Sequence, residues 1–218
     1  RGLGDVYKRQ YISCVYNPKA ESAEKFAIQH RIENYTDSLE ELTMLTDAVY
    51  IASLHETHYE YAKYMLNNKK HVLCEKPAVL KKAQAEELYN LAKENNVVFM
   101  EAVKTAYCPG FHAMMAAAKS GKIGRIIDVE AAFSRLTPVN TREYMAQDYN
   151  GSFLEFGSYV CMPVFELLGC DYDDVRFHSM RAVNGVDAYT KAVFSFGGKS
   201  AEVKTGLGVK TEGQLLIS

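Results

Sequence analysis

Three short apolar runs punctuate the first half of the chain: "DAVYIASL" (47–54), "KHVLCEKP" (70–77) and "NVVFMEA" (96–102). Val, Ile, Tyr and Phe dominate them, which reads as strands. Between them lie helical patterns, "HYEYAKYMLNN" from His58 and "KAQAEELYNLAKENN" from Lys82. In the second, Ala85, Leu88, Leu91 and Ala92 fall at i, i+3, i+6 and i+7, one stripe on a 3.6-residue period. Continuous apolar strands alternating with amphipathic helices predict a parallel sheet covered on both faces. "YISCVYN" (11–17), followed by "SAEKFAIQH", adds one more strand–helix unit upstream.

After about residue 122 the pattern changes. "GRIIDVEAAFSRL" (124–136) starts like a strand, "FLEFGSYVCMPVFELLG" (153–169) reads as a helix, and only strands follow. In "DAYTKAVFSF" (187–196), Ala188, Ala192, Phe194 and Phe196 share a face. In "AEVKTGLGV" (201–209), Ala201, Val203, Leu207 and Val209 share one, opposite Glu202 and Lys204. Such alternation suits antiparallel strands with one face buried, joined by turns such as Gly197-Gly198. A parallel α/β half is thus expected before an α+β half.

In open parallel sheets, ligands bind beyond the carboxyl ends of the strands. The first of the three strands runs out into Ser53, His55 and His58, the second into Glu75 and Lys76, the third into Glu101 and Lys104. Three successive strands thus deliver ionisable groups to one rim. Pro77 restricts Lys76 to extended backbone and ends the strand, fixing the lysine's direction. Glu75 and Lys76 alternate in direction, so they are not automatically an ion pair. A free lysine titrates near about 10.4. Burial or a nearby cation must lower that value before the amine can exchange protons usefully near neutral pH.

The totals narrow the class. Hydrophobic residues at 48 % and charged residues at 24 % are ordinary for a globular protein, and 218 residues allow one large domain or two modest ones. A net charge of −2 gives no basic excess, so neither nucleic acid nor an anionic membrane is an expected partner. Neither a spanning apolar run nor a signal core appears. The five cysteines, Cys14, Cys74, Cys108, Cys161 and Cys170, form no Cys-x-x-Cys pair. Neither a disulfide framework nor a zinc site is expected, and most are read as small buried hydrophobes in a reducing cytoplasm.

The stretch "DAVYIAS…HYEYA…KKHVLCEKPAVL…AEELYNLAKENNVVFMEA" resembles the Gfo/Idh/MocA oxidoreductases, relatives of glucose–fructose oxidoreductase and dihydrodiol dehydrogenase. The likeness extends over residues 11 to 218. It implies a partial Rossmann-like parallel sheet domain (11–107) followed by an α+β domain with a mainly antiparallel sheet (108–218), which shapes the substrate pocket and often a homo-oligomer interface. It implies NAD or NADP as cofactor, and a sugar, polyol or related hydroxylated small molecule as substrate. Lys76 is implied as the catalytic acid/base, before a Lys76–Pro77 peptide that can be cis. His58 falls on the family histidine and is implied as a catalytic residue that, like Tyr159, assists Lys76 with the proton, while Glu75 and Glu101 fall on cofactor-side acids. Asn17, Ser53, His55 and Pro77 complete the expected cofactor contacts. "NGSFLEFGSYV" (150–160) resembles the family's "GGALLDIGIY", which brings Glu155 to the substrate and Tyr159, one helical turn on, to assist Lys76.

The departures matter too. The family's "MEAMWTRF" becomes "MEAVKTAY", so Lys104 and Ala106 alter the substrate pocket and Lys104 joins Glu155 as a substrate-side residue. Asn17 replaces the acid that binds the adenosine ribose, and Lys19 gives a slight lean to NADP, though Pro18 occupies the usual arginine position. The opening "RGLGDVYKRQ" imitates only two glycines of a GxGxxG turn. Residues 1–10 are therefore expected to be a non-native leader, and the chain to be a truncated and inert piece of a longer enzyme. Two other uses of the residues compete with catalysis: a non-catalytic dinucleotide- or sugar-binding regulator, and a Schiff-base lysine.

Overall fold

The computed structural model describes residues 11–145 and 149–218, so the expectation for residues 1–10 lies outside the described part. The chain divides into two units. The first comprises residues 11–53, 57–74 and 81–100, and the second residues 54–56, 75–80 and the described residues from 101 onward.

In the first unit, strands and helices alternate in chain order. β1 (Cys14–Tyr16), α1 (Ala20–His30), β2 (Asn34–Thr36), α2 (Leu39–Leu45) and β3 (Ala48–Ile51) are followed by α3 (His55–Asn67), whose first two residues belong to the second unit. Next come β4 (His71–Cys74), α4 (Lys82–Glu94) and β5 (Phe99–Glu101), whose last residue also belongs there. β1 and β2 pair in parallel, Cys14 opposite Asn34. β3 and β4 pair in parallel, Ala48 opposite His71, with β5 on the far side of β4. Local chemistry sets the boundaries. Ser38 caps α2 by accepting from the Glu41 N–H at 3.3 Å. Arg31, in the left-handed region at φ 56°, ends α1. Helical stripes and strand residues, among them Ala23, Leu66, Val72 and Leu88, supply the buried positions.

Cover on both faces of the parallel strands is incomplete. They form two separate sheets, and burial alternates along β3, where Tyr50 stays 45 % exposed and Ile51 is buried. α3 begins three residues before the expected His58. β2 and α2, three and seven residues long, are too short for the apolar runs to mark.

The second unit holds α5 (Pro109–Lys119), β6 (Asp128–Ser134), α6 (Ser152–Leu168), β7 (Asp174–Arg181), β8 (Asp187–Ser195), β9 (Ser200–Gly206) and β10 (Gln214–Ile217). Its five strands are ordered β10-β6-β9-β8-β7. Every neighbour pair is antiparallel except β6 with β9. The β8–β9 hairpin turns at Gly197 and Gly198, with φ 53° and 92°. Positive φ at both central residues twists the strands together and favours glycine. One sheet face carries Val129, Ala131, Ala192, Phe194, Ala201 and Val203, and α6 lays Val160 and Val164 against it. Each valine and phenylalanine among them contributes roughly 1.5–3 kcal/mol by leaving water, and each alanine less. β9 alternates as expected through Val203, but Leu207 and Val209 lie beyond its end.

Two of the five free cysteines, Cys14 and Cys74, are buried, and burial pushes the half-buried Cys161 thiol up to about 12. Cys108 and Cys170 are exposed, which corrects the expectation that most cysteines are core residues. Both lie just outside helices, at element ends where side chains meet water.

Candidate active site

The second unit gathers the chemistry around Lys76. β4 ends at Cys74, and the segment 75–80 carries Lys76 into a cis Lys76–Pro77 peptide. Lys76 is only 9 % exposed. Its ammonium lies 3.0 Å from Glu155 Oε1 and donates to the Glu155 backbone carbonyl at 3.1 Å. An ammonium has three N–H donors, so one is left with no partner among the described residues. Glu155 is buried as well, at 8 % exposure. A buried charge survives only when paired, and each of these two is the other's counter-charge.

Glu155 stands in the first turn of α6, where a carboxylate is favoured by the helix's N-terminal partial charge. That turn is held from outside. Asp187 Oδ2, at the start of β8, accepts from the Phe153 N–H at 2.9 Å, the Ser152 hydroxyl at 2.6 Å and the Thr190 hydroxyl at 2.7 Å. Gly151, the N-cap, supplies no side-chain cap, and Asp187 takes that part. A Cβ on Gly151 would sit 1.9 Å from Asp187 Oδ1, and its φ of 129° is itself glycine territory. Glycine and aspartate thus fix where Glu155 begins its helix.

A second brace involves Glu101. Its Oε1 accepts from the Ala78 N–H and from the Ser158 hydroxyl, each at 3.1 Å. One carboxylate oxygen therefore ties the segment carrying Lys76 to the helix carrying Glu155.

Tyr159 lies one turn beyond Glu155, half-buried, its ring 5.5 Å from that of Phe133. Burial, and then the negative charges of Glu75, Glu155 and Glu101, raise its pKa above the ordinary phenol value. Near neutral pH it is a neutral hydroxyl, able to donate one hydrogen bond and accept others.

His55 is buried at 6 % exposure. Its Nδ1 lies 2.8 Å from the Tyr149 carbonyl oxygen and its Nε2 lies 3.8 Å from Glu155 Oε2. Glu155 Oε2 is buried and has no hydrogen-bond partner among the described residues.

The structure therefore brings Lys76, Glu155, His55, Glu101, Tyr159 and Glu75 into the second unit, together with Pro77 and Lys104. Lys104 is exposed, in a single 3-10 turn over 104–107. His58, Ser53 and Asn17 belong to the first unit. His58 is fully buried with Nε2 3.2 Å from the Ser53 carbonyl. The Ser53 hydroxyl accepts from Thr57 at 2.7 Å. Asn17 follows β1 and its Oδ1 accepts from the Lys19 N–H at 2.9 Å. Sequence reasoning missed Asp187 and Ser158. Among the described residues no group of three or more His, Cys, Asp or Glu could hold a metal ion, and no helix is long and apolar enough to cross a membrane.

Residues 4–103 match the Gfo/Idh/MocA family, described as an oxidoreductase family with an NAD-binding Rossmann fold. Over 202 residues the chain is 33 % identical to scyllo-inositol 2-dehydrogenase (NADP(+)) IolU of Bacillus subtilis, covering 87 % of this chain and 60 % of that protein. It is 29 % identical over 185 residues to trans-1,2-dihydrobenzene-1,2-diol dehydrogenase of Xenopus laevis, covering 82 % of this chain and 55 % of that one. The chain thus spans little more than half the length of these relatives. The solved structure of levoglucosan dehydrogenase with NADH and levoglucosan superposes with a TM-score of 0.82. At 19 % identity over 94 % of this chain and 61 % of that one, this is a likeness of fold.

Proposed function

The chain belongs to the Gfo/Idh/MocA oxidoreductase family, and from that premise we propose that it serves hydride transfer between NAD or NADP and a carbinol or carbonyl carbon. The substrate class is a sugar, polyol or related hydroxylated small molecule. One observation carries the reading: a buried lysine, ion-paired at 3.0 Å to Glu155, keeps one ammonium N–H without a partner among the described residues. Ion pairing holds the amine in one place, and the remaining N–H is the one a reacting oxygen can meet.

The nicotinamide supplies the hydride acceptor or donor. Lys76 takes the proton from the alcohol, or returns it to the carbonyl oxygen, as general base or acid. Glu155 orients the ammonium and offsets its charge. Tyr159, held neutral, hydrogen-bonds the same oxygen. Residues suited to the cofactor are those at the strand ends, as expected in a parallel α/β unit. Asn17 follows β1, Ser53 follows β3, and His55, Glu75 and Pro77 follow β3 and β4. A neutral Asn17 with Lys19 close in sequence tolerates a 2′-phosphate better than an acid would, hence the lean to NADP. The geometry supports a bracing part for Glu101 ahead of a direct cofactor contact, since Oε1 is engaged by Ala78 and Ser158. It supports an equally structural part for His58, turned to Ser53.

The test is a panel of sugars and cyclic polyols offered with each cofactor, read by nicotinamide absorbance. This reading predicts turnover with at least one hydroxylated substrate, whereas the inert piece expected from the sequence would give neither turnover nor cofactor binding. Cofactor binding with no turnover across the panel would favour the regulator instead.

A further inference from the structure

We propose, resting on the oxidoreductase reading above, that His55 Nε2 takes up or releases the proton that balances each proton moved by Lys76. Donors and acceptors are mismatched at this cluster. Glu155 Oε1 has the Lys76 ammonium at 3.0 Å, while Oε2 is buried, accepts no hydrogen bond from the described residues, and lies 3.8 Å from His55 Nε2. That separation is too long for a hydrogen bond and short enough for an ion pair.

The other ring nitrogen settles the tautomer. Nδ1 lies 2.8 Å from the Tyr149 carbonyl, which can only accept, so the hydrogen-bond network assigns the proton to Nδ1. A neutral His55 then turns the lone pair of Nε2 toward the lone pairs of Oε2, a repulsive contact between two acceptors. A proton on Nε2 makes the contact attractive. Histidine is the side chain whose ordinary titration makes this step accessible near neutral pH.

Two arrangements of the cluster carry the same net charge. In one, Lys76 is an ammonium and His55 is neutral; in the other, Lys76 is a free amine and His55 an imidazolium. Glu155 is a carboxylate in both. Buried sites penalise net charge, so exchange between these states is favoured over simple loss or gain at Lys76. Written for oxidation, the substrate C–H leaves as hydride to the oxidised nicotinamide and its O–H proton passes to the Lys76 amine. The C=O bond forms, and one proton leaves His55 Nε2. Reduction is the reverse, with Nε2 gaining the proton. Among the described residues, the charged groups facing His55 include Glu155 from α6, with Lys76 of the 75–80 segment beyond it. On its own helix are the exposed Glu56 and the buried His58, whose Nε2 is turned to Ser53.

The test uses the full chain labelled with 15N-histidine, compared at pH 7 with Glu155→Gln and Lys76→Met. His55 Nδ1 is expected to stay protonated in all three. Nε2 should lose its protonated fraction in Glu155→Gln, and gain in Lys76→Met, where the carboxylate has no competing cation. A second arm follows alcohol oxidation against pH in His55→Gln. With no imidazolium to disfavour the ammonium, the rate midpoint should move alkaline by about one pH unit. A role in packing alone would lower the rate evenly at every pH. An Nε2 signal indifferent to both Glu155→Gln and Lys76→Met, or a profile lowered without moving, overturns the proposal. Absence of turnover in the unmodified protein would be a failure of the oxidoreductase reading, and the nitrogen shifts would still decide where the proton sits.

Discussion

Two lysine–glutamate pairs of nearly equal length sit in very different surroundings. Lys63 of α3 lies 2.7 Å from Glu87 of α4, with both side chains more than a third exposed. Lys76 lies 3.0 Å from Glu155, with both side chains about one-tenth exposed. At the surface pair, the hydrogen bond with Glu87 raises the Lys63 pKa and holds the Glu87 carboxyl low. Water and salt screen such a pair, and losing either partner leaves the other solvated. Losing either partner of the buried pair strands a charge. Separation therefore says little about what a pair does, and burial with the neighbouring acceptors and donors says most. Each pair has a third ionisable neighbour, the Tyr59 hydroxyl at the surface and the His55 imidazole at the buried pair.

Substitutions that leave Lys76 in place sharpen this contrast, and the largest effect is expected from Glu155→Gln. An amide keeps the shape but removes the counter-charge, so stability should fall by about 3–5 kcal/mol in chemical denaturation, and turnover by about 100-fold. Asp187→Ala comes next. It removes the acceptor of three donors at the head of α6, costing about 1–3 kcal/mol by the same measurement. Turnover should fall several-fold as Glu155 loses its fixed starting point. Tyr159→Phe is smaller and pH-selective. Because the folded-state pKa of Tyr159 is raised, the stability tied to its neutral form is present below the ordinary phenol value of about 10 and lost as pH rises through the folded value. The phenylalanine variant should lack that alkaline loss when denaturation midpoints are compared above and below pH ~10. Lys63→Met, the surface control, should leave the denaturation midpoint and turnover unchanged within error.

Much of this was legible in the sequence because period and chemistry agreed. Leu88 and Ala92 are buried on α4 as their spacing predicts, and the Gly197-Gly198 turn closes its hairpin. "CEKP" marked Lys76, and the four-residue step from Glu155 to Tyr159 set both on α6. What stayed hidden were partners chosen by tertiary folding. Asp187 caps a helix through Phe153, 34 residues earlier, and in "DAYTKAVFSF" it reads only as the first residue of a strand. Glu101 reaches Ala78 and Ser158, 23 and 57 residues away. His55 read as one more polar group at a strand end, and the Tyr149 contact that orients its ring is 94 residues distant. α5, with its run of alanines and a leading Pro109, went unmarked because no apolar stripe distinguishes it.

The most direct measurement is turnover of Lys76→Met with the best substrate and cofactor, alongside a cofactor titration of the same variant. If Lys76 moves the proton, turnover should fall by about 100- to 10,000-fold while cofactor affinity is retained. Turnover within a few-fold of the unmodified protein would contradict the account.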